Sequence, residues 1–159
     1  KGAQQDMLTS TGDLGRWLVA ADLAASPVEP GRVDLELARD LREAIYTLAL
    51  SVMRRGHADS DALATLNALA SDRPATPSLD ASGHVRLKGS ARALLVTVAQ
   101  QAVHLFGTEQ RARIRQCEGE TCAVLFLDTS RTGDRRWCSM AACGNKAKVA
   151  KFRRREAAR

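Results

Sequence analysis

Residues 117–143 read CEGETCAVLFLDTSRTGDRRWCSMAAC, and they hold every cysteine of the 159-residue chain. Four residues separate Cys117 from Cys122, four separate Cys138 from Cys143, and fifteen lie between the two pairs. The interval carries a short apolar run, Ala123–Val124–Leu125–Phe126–Leu127, and then a turn-prone TSRTGD segment at 129–134. Two thiol-bearing loops joined by a hairpin-sized spacer can place four sulfurs around one tetrahedral ion. Disulfides compete with that reading, but they need an oxidising compartment and are favoured in small secreted chains without a core. An iron–sulfur cluster also competes, although its usual spacings are tighter and less symmetrical. One structural zinc ion is the favoured chemistry, with Cys117, Cys122, Cys138 and Cys143 as candidate ligands. The commoner zinc spacing puts two residues between paired ligands, so four is a wide variant.

Around this segment the charge changes sign. Residues 111–159 carry 13 Lys and Arg against 5 Asp and Glu, whereas residues 1–110 carry 11 against 13. Such a break marks a domain boundary and gives the two pieces different partners. The expected domains are 1–110 and 111–159, with the change falling near Gly107. The second piece has few large apolar residues: Ile114, Val124, Leu125, Phe126, Leu127, Trp137, Val149 and Phe152. A module of that size needs a staple, and a bound zinc contributes on the order of 10 kcal/mol to such a fold.

The first piece reads as mainly helical. Leu14, Trp17, Leu18 and Ala21 recur at helical spacing; so do Leu37, Leu41, Ile45 and Leu48, then Leu63, Leu66 and Ala70. Leu94 or Leu95, Val98, Ala102 and Leu105 form a fourth set, ended by Gly107. Ser60 and Ser90 are expected N-caps. SPVEPG at 26–31 is a turn. RPATP at 73–77 opens a non-helical stretch with a turn at Asp80–Gly83 and a strand at His84–Leu87, which together predict a small β-hairpin. Beyond Gly107, alternation predicts an edge strand at Arg111–Arg115, a second strand at Ala123–Leu127 and a third at Arg135–Trp137. A helix follows from about Met140. The fold class is α+β, mainly α.

The segment WCSMAACGNKAKVAKFRRR at 137–155, together with the first cysteine pair and the LFLD run, resembles the CGNR zinc finger family. The resemblance covers Arg113–Arg155. The preceding portion is similar in helical layout to the ABATE domain that accompanies this finger. The resemblance implies bacterial, stress-related transcription regulators, with a helix-rich N-terminal domain and a small treble-clef-like four-cysteine finger made of a hairpin and a basic helix. It implies that the four cysteines hold one zinc ion and that the finger is the DNA-binding part. One departure is plain: the motif's final Arg is Lys146, which keeps the charge but not the planar two-pronged donor.

The final helix carries Lys146, Lys148, Lys151, Arg153, Arg154, Arg155 and Arg159 against Glu156, and Arg131, Arg135 and Arg136 add charge around the hairpin turn. Val149 and Phe152 form a narrow apolar edge expected to dock on the hairpin. Four thiolates around zinc leave about −2, so part of this charge neutralises the metal site. The remainder points to phosphate, and DNA is the expected partner. Asn145 is expected to cap the helix or bond a sulfur, and Trp137 to pack beneath the metal site. Two other readings stand beside this one: a zinc-structured module for an acidic protein, and a thiol redox switch without DNA binding. The N-terminal domain is expected to sense a small-molecule effector or bind a protein.

Catalysis is not expected. His57, His84 and His104 are scattered, and Asp34, Glu36, Asp59 and Asp61 sit at helix starts, where they favour the helix dipole. No apolar run nears the roughly 20 residues that cross a bilayer. No secretory pattern is visible in the sequence, and a cytoplasmic location is expected.

Overall fold

The structure, a computed structural model, describes residues 6–157, the side chain of Lys151 excepted. It divides into two compact units, one of Asp6–Thr108 and one that begins at Glu109.

In the first unit, α1 (Thr11–Ala20), α2 (Arg32–Met53), α3 (Ser60–Ala70) and α4 (Ala91–Gly107) pack around a leucine- and alanine-rich core. The periodic stripes bury Leu14, Leu18, Leu41, Leu48, Leu66, Leu94 and Leu95. Alanines at 38, 44, 91 and 99 let the helices approach one another closely. Not every residue of the predicted stripes turns inward: Trp17 and Leu63 are exposed at 40% and 38%. Each belongs to a short helix whose inner face is filled by Leu14 and Leu18 in α1, or by Ala62, Leu66 and Leu69 in α3. Gly15 is buried because the 26–31 turn crosses α1 there. A Cβ at that position would lie 2.8 Å from the Val28 carbonyl oxygen.

Acidic and hydroxyl residues close the helix starts. Ser10 accepts from the Asp13 N–H, and Ser90 accepts from the Ala93 N–H. Asp34 accepts from the Gly31 N–H at 2.8 Å, and Glu36 pairs with Arg32. For α3 the cap is Asp59 rather than the expected Ser60. Its carboxylate accepts from the Asp61 and Ala62 N–H groups, and an anion at a helix start is favoured by the helix dipole as well.

Between α3 and α4, β1 (Thr76–Leu79) and β2 (Val85–Lys88) form the predicted hairpin, with Leu79 opposite Val85. His84 lies in the turn rather than the strand, because its N–H is taken by the Asp80 carboxylate.

The second unit differs from expectation at all three strands, the second, expected at Ala123–Leu127, being shortened to Leu125–Leu127. Glu109–Arg113 is a 3-10 turn, and β3 is confined to Ile114–Gln116, paired antiparallel with β4 (Leu125–Leu127). The alternation of Arg111 to Arg115 misled because β4 offers only three residues for pairing. The third strand, at Arg135–Trp137, is absent. The Asp128 carboxylate takes the Arg135 N–H, and Arg136 contributes one carbonyl to Glu118, so no ladder forms. A π turn at Met140–Gly144 then runs into α5 (Asn145–Ala157). Val149 and Phe152 do not dock on the hairpin: they are exposed at 50% and 65%. Arg159 and the Lys151 side chain lie outside the described residues.

Candidate metal centre

The first cysteine pair sits on a loop closed by backbone bonds. The Cys117 N–H donates to the Val124 carbonyl at 2.9 Å, and the Cys122 N–H to that of Gly119 at 3.1 Å. The second pair brackets the π turn, Cys138 just before it and Cys143 near its end. Ser139 accepts from the Ala142 N–H, and the Gly144 N–H donates to the Ser139 carbonyl at 3.0 Å, spanning five residues instead of the usual four. This wider turn sets the Cys143 sulfur beside that of Cys138. The four-residue spacing is therefore a property of the turn.

One ligand atom from each of Cys117, Cys122, Cys138 and Cys143 lies within 4.8 Å of the others. The Cys122 and Cys138 sulfurs are 3.8 Å apart, and those of Cys138 and Cys143 are 3.7 Å apart. A tetrahedron with zinc–sulfur bonds near 2.3 Å has edges of about 3.8 Å. The four cysteines fit one structural zinc ion.

Gly119 shows how closely this space is filled. A Cβ there would lie 3.0 Å from the Cys122 Cβ, 3.4 Å from the Cys143 sulfur and 3.6 Å from the Cys117 sulfur. Gly119→Ala is expected to lower zinc affinity by about tenfold or more, the scale of changes next to metal ligands, as read by chelator competition. Unchanged affinity would mean that the loop gives way freely.

The thiols compete electrostatically. Burial pushes the Cys117 thiol up, but the N–H groups of Cys138 and Gly119 outweigh it, bringing the value to about 7. Burial and hydrogen bonding to Cys117 push Cys138 to about 12. Four neighbouring sulfurs resist ionising together, and a divalent cation removes that conflict.

Two residues outside the cysteine pattern organise the site, and the sequence reading assigned neither this role. Asp128 is fully buried, and its carboxylate accepts from the Ser130 hydroxyl at 2.6 Å, the Ser130 N–H and the Arg135 N–H. The Ser130 hydroxyl, despite the opposing effect of burial, holds its acidity at about 2. Arg135, expected at a nucleic-acid surface, is half-buried. Its Nε donates to the Trp137 carbonyl at 2.8 Å, its Nη2 donates to the Cys138 carbonyl, and its guanidinium lies 5.0 Å from the Phe126 ring centroid. The signal available in sequence was Asp128 itself, an acid directly after an apolar strand.

The other sequence candidates fall into two groups. Arg136 pairs with Glu118 at 2.5 Å and lies over the Trp137 ring. Arg131, Lys146, Lys148, Arg153, Arg154 and Arg155 are exposed, and none forms an ion pair with a described residue. Trp137 is half-buried and packs near the helix start, where a Cβ on Gly144 would approach its Cδ1 to 3.3 Å. The Asn145 amide bonds the Ala141 carbonyl at 3.3 Å rather than a sulfur. His57, His84 and His104 are all exposed.

This arrangement, a short hairpin and a helix joined through four clustered sulfurs, defines a small zinc-finger unit. Two family models match the chain: a CGNR zinc finger over residues 113–156, and ABATE, described as "Putative stress-induced transcription regulator", over residues 1–109. The second spans more than half of the sequence, and the protein belongs to the ABATE family and carries a CGNR zinc finger. Both families are of regulator or zinc-finger type and neither is a family of enzymes. No curated protein matches the chain. Among the described residues, no helix is long and apolar enough to cross a membrane.

Proposed function

We propose that this protein is a zinc-dependent transcription regulator that binds duplex DNA through residues 111–159, with residues 1–110 sensing a small-molecule effector or binding a protein. In this reading Cys117, Cys122, Cys138 and Cys143 ligate the zinc. Lys146, Lys148, Lys151, Arg153, Arg154 and Arg155 on α5, with Arg131 and Arg136 beside the hairpin, face the phosphates.

The observation that carries the proposal is the mounting of α5. Cys143 lies in the π turn that becomes the helix, so the metal fixes the helix start. The described cations of that helix are exposed and make no ion pair with a described residue. A row of exposed cations on a rigid mount suits a polyanion. Arg135 is withdrawn from the contact set, because its guanidinium is spent on the chain's own carbonyls.

The test is titration of the zinc-loaded full chain with random-sequence duplex DNA across a salt series, with and without chelator. Binding is expected to weaken linearly in log–log form, by about 0.9 unit of slope per phosphate neutralised, and to vanish on chelation. Absence of binding at the lowest salt would overturn the proposal.

A further inference from the structure

α5 exposes more than charge. At about 100° per residue, Asn145, Val149, Phe152 and Glu156 fall within an arc of about 60° on one face of the helix. Lys148 and Arg155 lie about 70–90° to one side of that stripe, and Arg153 and Lys146 lie about 70–90° to the other. The stripe is bordered by cations on both flanks. Its apolar members stay largely open to solvent: Val149 is exposed at 50% and Phe152 at 65%. Among the described elements, the one that meets α5 most is the π turn that precedes it in sequence.

A strip with two apolar side chains at its centre, Val149 and Phe152, between two cationic borders matches the major groove of duplex DNA. There two phosphate backbones flank a floor of base edges, and the groove, about 12 Å wide, admits one helix. Thymine is the base that places an apolar group on that floor, its C5-methyl. Val149 and Phe152 are separated by about 4.5 Å along the helix axis, between one and two base-pair steps of about 3.4 Å, so the two side chains can reach neighbouring base pairs. What favours DNA over an anionic surface is the small apolar area of the stripe, two large side chains, because the hold of a helix on a lipid surface scales with the apolar area it buries.

Resting on the DNA-binding reading above, we propose that α5 is a major-groove reading helix whose Val149 and Phe152 recognise thymine methyl groups while the flanking Lys and Arg side chains hold the two backbones. The specificity assigned to this helix is for T-containing steps. It needs no arginine at position 146, where a lysine contacting phosphate suffices.

The proposal is tested with the zinc-loaded full chain and two duplexes of identical sequence composed of A·T pairs, one with thymine and one with deoxyuracil, which lacks only the methyl. The thymine duplex is expected to bind more tightly, by about fourfold for one buried methyl and about fifteenfold for two. Val149→Ala and Phe152→Ala are each expected to reduce that ratio and together to bring it to one, leaving the salt slope and the zinc content unchanged. Equal affinity for the two duplexes in the unsubstituted protein, with strong salt-dependent binding to both, overturns this inference and leaves the DNA-binding reading standing. No binding to either duplex overturns both. A Phe152→Ala variant that loses affinity for anionic phospholipid vesicles but keeps its full thymine preference assigns the stripe to lipid and overturns the proposal as well.

Discussion

Stripping the zinc with a strong chelator is expected to unfold the unit that begins at Glu109 while the unit of Asp6–Thr108 stays folded. The difference follows from where each unit gets its stability. The N-terminal unit buries Leu14, Leu18, Leu41, Leu48, Leu66, Leu94, Leu95 and Val96 in one contiguous core. Beyond residue 108, the described apolar side chains that reach full burial are Ile114 and Cys117, and one of those is a sulfur of the cluster. Two strands of three residues and one exposed helix cannot offset the conformational entropy of about fifty residues on that basis. The zinc contribution, on the order of 10 kcal/mol, decides whether the unit folds. Hydrogen exchange reads the outcome directly. The amides of Cys117, Ser130, Arg135 and Gly144, all bonded in the structure, lose protection on chelation, while amides within α2 and α4 keep it. Cys143→Ser is expected to do the same without chelator. Persistent protection in a protein shown to be metal-free would mean that the fold does not depend on the ion.

The second large effect separates charge that faces a partner from charge that the finger uses on itself. Replacing Lys146, Lys148, Arg153, Arg154 and Arg155 by Gln is expected to lower the log–log salt slope of duplex binding by about 4–5 units, because each phosphate contact contributes about 0.9. Zinc content is expected to stay the same, since none of these side chains bonds the metal site. Arg135→Gln is expected to give the opposite pattern. The salt slope persists, and zinc affinity falls by about 10–100-fold, as the carbonyls of Trp137 and Cys138 lose the donors that orient the third cysteine. Chelator competition and salt titration on the two variants measure both quantities. If Arg135→Gln flattened the salt slope with zinc affinity unchanged, the arginine would belong to the binding surface after all.

The fold was partly legible because its helices obey a simple rule. Burial on one face requires apolar residues at helical spacing, and the four leucine-bearing segments showed that spacing plainly. The hairpin between α3 and α4 was legible for a related reason: Asp80–Gly83 is turn chemistry, and the residues after it alternate. Trp17 and Leu63 fit the period yet face solvent, since period specifies a face and not its limits. At Arg111–Arg115 and Arg135–Trp137 the sequence alternates or resumes apolar character, but a strand also needs a partner of matching length. That partner is a tertiary fact, and β4 is three residues long.

At the metal centre the sequence by itself determined the donors and their number: two pairs of cysteines, an interval that can reverse direction, and a surplus of cations after the last one. It also determined that this module is too poor in apolar residues to fold by burial alone. Only the tertiary structure decided how the wide spacing works, through a π turn that draws Cys143 back beside Cys138. It also decided that Asp128 and Arg135 are fastened inside the finger, and that Val149 and Phe152 face outward. The physical reason is common to all of these. Composition and period specify what a segment carries, but whether a charge is consumed by carbonyls two and three residues away, as at Arg135, or left for a partner, depends on distances that exist only once the chain has closed around its sulfurs.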